Sequence, residues 1–143
     1  ETARIDEAPT PEELVYSGTP QTLIEKGASF TPELQIGDYS GIGICSEIYG
    51  PVVIGEYVMM GPEVVIYTRN HKHEMGVPFC QQGFEDDDPV TIGNNVWIGR
   101  RAMFMPGSAV GSNVIVAAGA VVTKKFGDNL VIGGVPAKII GKM

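Results

Sequence analysis

With 143 residues, 43% of them hydrophobic, the chain is long enough for one domain with a buried core. A net charge of −7 argues against nucleic acid as the main partner, and no apolar run approaches the ~18 residues of a membrane span. Two cysteines, Cys45 and Cys80, make no disulfide framework, so a reduced, cytoplasmic protein is expected. The charge is uneven. Residues 1–88 carry 16 acids against 4 bases, and residues 89–143 carry 6 bases against the single acid Asp128. That asymmetry reads either as chance scatter of surface charge or as a C-terminal half built to meet an anion.

Residues 1–17, ETARIDEAPTPEELVYS, are acidic and hold two prolines. TPEEL predicts a short helix, with Thr10 as N-cap and Pro11 in the first turn. The segment is expected to cap the unit that follows, where an open strand edge would invite aggregation.

From Ile24 a period of six takes over. Ile24, Phe30, Ile36, Ile42, Ile48, Ile54, Met60 and Ile66 are all large and apolar, and so are Ile92, Ile98, Phe104, Val110, Val116 and Val122. Glycine follows the anchor at Gly37, Gly43, Gly55, Gly61, Gly93, Gly99 and Gly111, and is read as supplying the positive φ of a corner. A small or β-branched residue comes four positions after the anchor, as at Ser40, Val52, Ala102 and Ala120. Six fits neither a 3.6-residue helix nor a simple two-residue strand. It fits a short strand and a turn, repeated, with each anchor stacked on the one before: a parallel β-helix.

Between the anchors Ile66 and Ile92, residues 72–91 break the pattern. This insertion follows His71 and contains His73, Cys80 and the acids Glu85, Asp86, Asp87 and Asp88. A twenty-residue loop inside a compact repeat is usually functional or disordered. The four acids are read as a solvated run. After Thr123 the period lapses, and residues 128–143 are expected to form a turn and a short extended segment closing the far end. The division is thus 1–17 cap, 18–127 β-helix and 128–143 closing segment.

The hexads IGEYVM, IGNNVW and VGSNVI, with VTIGNNVWIGRRAMFMPG and GGVPAKII, resemble the hexapeptide-repeat acyltransferases. Within them the chain looks most like O-acetyltransferases of sugars and of capsular or exopolysaccharide precursors. The resemblance covers about residues 20–143. It implies an all-β, left-handed parallel β-helix with three hexads per turn, which places about five coils at 18–35, 36–53, 54–71, 92–109 and 110–127, with one long loop, a homotrimer with sites between subunits, and acetyl-CoA as donor.

Residue by residue, the resemblance implies His71 as general base, because it matches the catalytic histidine of the sugar enzymes. A neutral imidazole suits that task near pH 7. VWIGRRA implies Gly99 and Trp97 along the coenzyme groove, Trp97 alternatively serving as a hydrophobic staple between coils, with the backbone N–H of Arg100 as an oxyanion or thioester donor. VAAGAVVTKK implies Ala118 through its backbone, then Thr123 and Lys124, and GVPAK implies Lys138 near the nucleotide. Tyr49 and His73 are acceptor-side candidates. The asparagine and aspartate with which galactoside enzymes hold their sugar are Gly41 and Tyr49 here, so galactoside specificity is not expected. Only two histidines are present, against the three of β-helical carbonic anhydrases, so no metal site is expected. The functional expectation is acetyl transfer to a saccharide hydroxyl. Its alternatives are an antibiotic or amino-sugar acetyltransferase, a non-catalytic scaffold subunit and a metal-dependent hydratase.

Overall fold

The computed structural model describes residues 22–143, together with the backbone of the strand Ala3–Ile5. The helix expected at TPEEL lies outside the described residues. The chain winds as a parallel β-helix with three faces and about six turns. Among the described residues the one helical element is the single 3₁₀ turn Phe79–Gln81, and none is long and apolar enough to cross a membrane.

The first face stacks Gln35–Ile36, Val52–Ile54, Val90–Ile92, Ala109–Val110 and Lys125–Phe126. The second runs from Leu23–Glu25 and Gly41–Ile42 through Met59–Met60, Val96–Ile98 and Val114–Val116 to Leu130–Gly133. The third stacks Ser29–Phe30, Glu47–Tyr49, Val65–Tyr67, Met103–Phe104 and Val121–Val122. Partners lie one coil, or 18 residues, apart, as Ser29 with Glu47 and Thr91 with Ala109. Across the insertion Val52 pairs with Val90, which makes the loop 20 residues longer than a plain corner.

The hexad anchors form the core. Ile42, Ile48, Ile66, Ile98, Phe104, Val116 and Val122 are fully buried. Burying one such side chain stabilises by roughly 1.5–3 kcal/mol. Phe30, in the first coil, is 38% exposed, because no described coil covers it from below. The small residues four places on are buried as well. Among them Ser40 and Ser46 each accept the N–H of the residue one coil up, Val58 and Val64.

Two expectations change. The corner glycines do not have positive φ. The left-handed positions come two residues later, at Tyr39, Cys45, Tyr57, Glu63, Asn95, Arg101, Asn113 and Asn129, with φ from 52° to 61°. What the glycines provide is contact: a Cβ at Gly43 would strike the Gly61 carbonyl oxygen, and one at Gly93 would stand 2.5 Å from the Gly111 carbonyl carbon. The backbones of successive coils meet there. The pattern also does not stop at 127. It loses two residues at one corner, so that Ala109 pairs with Lys125 and Ile115 with Val131, and then resumes with buried Ile132. This adds the sixth turn. Lys138–Lys142 then folds back antiparallel on Leu130–Gly133 and covers its edge. At the other end Ala3–Ile5 pairs parallel with Leu23–Glu25.

Candidate active site

The insertion leaves from the corner between the third and first faces, and hydrogen bonds zip its neck. Thr68 carbonyl accepts from Asp88 N–H, Asn70 carbonyl from Glu85 N–H at 2.8 Å, and Gly83 carbonyl from Lys72 N–H at 2.9 Å. His71 thereby faces Phe84 across an antiparallel bridge whose two bonds lie on either side of the pair. Side chains come closest in pairs of that kind. The imidazole stacks on the Phe84 ring, with centroids 4.2 Å apart and planes at 29°. The Arg69 guanidinium sits over the same ring, 3.9 Å from its centroid.

The tip is tied by Gln82. Its carbonyl accepts from Glu74 N–H at 2.8 Å, and its amide donates to the Glu74 and Val77 carbonyls at 2.9 and 2.8 Å. All four acids are exposed, as expected of a solvated run, but two of them also help to close the neck. Asp87 accepts from the hydroxyl of buried Thr68 at 2.8 Å, and the Asp88 carbonyl accepts from Gly107 N–H at 3.0 Å. His73 turns its Nδ1 toward the His71 carbonyl oxygen at 3.1 Å, with Glu85 Oε1 at 3.7 Å. Lys72, His73, Glu74 and Glu85 line an open polar depression beside His71. Tyr49 lies one coil below, stacked on Tyr67 at 5.6 Å, and its carbonyl accepts from Thr68 Oγ1.

The other candidates lie at the corner between the second and third faces. Trp97 points outward from the second face, half exposed, in register with Met59 and Ile115. With Tyr57, Asn113 and Met143 these line a shallow, mainly apolar depression. Gly99 has no room for a Cβ, which would stand 2.5 Å from Ala118 N. Neither Arg100 N–H nor Ala118 N–H has an acceptor among the described residues. The contrast with the corner between the first and second faces is informative. There the corresponding N–H groups of Glu56, Asn94 and Ser112 are capped from one coil up by Asn94 Oδ1 (2.9 Å), Ser112 Oγ (3.0 Å) and Asp128 Oδ1 (2.8 Å). Above Arg100 stands Ala118, which has no side-chain oxygen. The Arg100 side chain is engaged elsewhere: its guanidinium meets Glu63 at 2.7 Å, and Arg101 reaches the same carboxylate at 3.4 Å. The Arg100 hydrogen bond is the main reason the Glu63 carboxyl is held below the usual range.

Lys138 pairs with Gly133, directly above Ala117, and so extends this second edge. Thr123 and Lys124 do not. They follow Val122 at the corner that carries the insertion two coils earlier, and Lys124 lies 5.3 Å from the Phe126 ring centroid. One chain therefore presents two edges. His71, His73, Tyr49, Thr123 and Lys124 lie along one, and Trp97, Gly99, Arg100, Ala118 and Lys138 along the other. The width of the third face separates them. Among the described residues no three His, Cys, Asp or Glu side chains gather as a metal site.

Residues 89–124 match the family description "Bacterial transferase hexapeptide (six repeats)". YJL218W of Saccharomyces cerevisiae, named as a presumed acetyltransferase, is 38% identical over 135 residues, 92% of this chain and 68% of that protein. The chain belongs to the hexapeptide-repeat acetyltransferases. Its left-handed parallel β-helix is the fold of that family. Galactoside O-acetyltransferase of Escherichia coli K12 is 38% identical over 91 residues, 62% of this chain but only 43% of the enzyme. A galactoside acetyltransferase solved in complex with coenzyme A superposes with a TM-score of 0.61 at 30% identity, covering 85% of this chain and 64% of that one.

The sequence reading missed Phe84, Arg69 and Gln82. Gln82 and Phe84 stand in the stretch QQGF, residues 81–84, and only the closed neck shows that His71 and Phe84 are partners.

Proposed function

We propose that the protein is an acetyl-CoA-dependent O-acetyltransferase for a saccharide hydroxyl, with His71 as general base. One observation supports this most: a histidine fixed at one edge of the stack, and two uncapped N–H groups one coil apart at the other. The names of the similar galactoside enzymes favour a saccharide acceptor.

In this reading a second copy of the chain brings its Arg100 edge against the first chain's His71 edge, and a trimer builds three such sites. The exposed Trp97 face takes the pantetheine arm, and Lys138 from one chain with Lys124 from the other meets the phosphates. When bound, coenzyme A supplies the acyl group as a thioester. His71 takes the proton from the acceptor hydroxyl, and the oxygen bonds to the acyl carbon. The Arg100 and Ala118 N–H groups donate to the developing oxyanion. As the carbon–sulfur bond breaks, His71 returns the proton to the departing sulfur. The exposed, unpaired Cys45 and Cys80 fit a reducing, cytoplasmic setting.

His71→Ala is expected to cut turnover by roughly 10²–10⁴-fold while coenzyme binding stays near parental, since a positioned base contributes about that much. Rates come from thiol release with a saccharide panel, and mild base distinguishes an ester product from an amide. A variant with full turnover contradicts the assignment. An amide product moves the acceptor class to amino sugars or amine-bearing antibiotics.

A further inference from the structure

A general base is commonly oriented by a carboxylate on its second nitrogen. His71 has none: among the described residues no side chain hydrogen-bonds its ring, and the nearby Glu85 carboxylate faces His73 instead. What meets the imidazole is the Phe84 ring. The imidazole and the Arg69 guanidinium both lie over its centre, at 4.2 and 3.9 Å, and one face cannot hold both. Phe84 is therefore sandwiched. It is 45% exposed, so the core does not hold it; the neck backbone and the two flanking side chains do.

We infer that Phe84 is a positioning residue for His71. Its ring fixes the plane of the imidazole and presents a π face to the positive charge His71 acquires on taking the acceptor's proton. Arg69, on the far face, keeps the phenyl ring from turning away. The inference rests on the reading of His71 as general base. Cations over an aromatic face are stabilised by the ring quadrupole, and more so when partly desolvated. Closing the coenzyme between two chains would desolvate this one.

The test combines proton NMR with kinetics. The chain has two histidines, so His73→Asn assigns the His71 ring protons. In the parent those protons should lie upfield of the His73 signals, through the ring current of Phe84. Phe84→Tyr should keep both that shift and the parental rate. Phe84→Leu should abolish the shift and lower kcat about tenfold on the best saccharide acceptor. Its KM for acetyl-CoA should remain parental, which a general loss of structure would not allow. The parent spectrum needs no variant: His71 protons at free-histidine positions overturn the inference. So does Phe84→Leu with parental kcat. His71→Gln separates the two readings. If it keeps full turnover, the base assignment fails and this inference with it. If it is inactive while Phe84→Leu is unimpaired, only the role of Phe84 fails.

Discussion

At a hexad corner, glycine and the left-handed residue do different jobs, and each can be tested separately. Gly111 and Gly127 hold the same place in successive coils. A Cβ on Gly111 would meet the Gly127 carbonyl carbon at 2.8 Å and Asp128 Oδ1 closer still, whereas one on Gly127 meets nothing within 4 Å. Gly111→Ala should therefore lose about 2–3 kcal/mol, because the backbone it strikes cannot rotate aside. Gly127→Ala should be neutral, or stabilise by about 0.4–1 kcal/mol through the unfolded chain. Urea midpoints of the two variants give the comparison, and equal losses would contradict this account. The Glu63 tie to Arg100 and Arg101 gives a pH prediction. Its carboxyl is held low in the folded state, chiefly by the Arg100 hydrogen bond. The tie thus adds stability above the ordinary glutamate range and loses it as pH falls through the lowered value. Glu63 is open to solvent, so the melting temperature should move little. A carboxyl NMR titration for Glu63 with its midpoint at or above that of free glutamate would contradict the tie.

The repeating elements were legible because each anchor reports its own burial. Ile42 to Ile66 and Ile92 to Val122 each keep a fixed step, and a fixed step needs no knowledge of distant contacts. What the period could not show lies in pairs far apart along the chain. The glycine column looked like conformational freedom, since one strand cannot reveal that the next coil's carbonyl lies against it. The two-residue slip between Val122 and Phe126 hid the sixth turn, because Ile132 is out of phase with the earlier anchors. His71 was found at its place before the insertion, but Phe84, Gln82 and the Thr68–Asp87 bond appear only when the neck closes. The open N–H of Arg100 was expected from resemblance, and the structure gives a physical reason: Ala118 offers no capping oxygen where Asn94, Ser112 and Asp128 do on the next corner. Pro62 fills the same backbone place one coil below Arg100, so Arg100→Pro removes the donor without demanding a new backbone path. The variant should fold normally and lose about 10²–10³-fold in kcat, as when one oxyanion donor is deleted. Turnover within threefold of the parent would remove this N–H from the reaction.

In the whole molecule, the two edges are the reason the proposed site is shared between copies. His71 and Arg100 flank the third face of one chain, so a lone chain cannot aim both at one acyl group. A neighbour can. His71→Ala and Arg100→Pro should each be nearly inactive alone. Refolded together they should regain activity, since mixed trimers contain sites with both wild-type edges; no recovery would place the site within one chain. The uneven charge fits the proposed arrangement, because Lys124 and Lys138 both belong to the basic C-terminal half and would face the coenzyme from different copies. The most direct measurement is calorimetric titration of coenzyme A and acetyl-CoA into the folded protein. Saturable, micromolar binding at about one site per chain, unchanged in His71→Ala and weakened in Lys138→Ala, is the predicted result. A folded, oligomeric protein that takes up neither ligand would contradict the account at its centre.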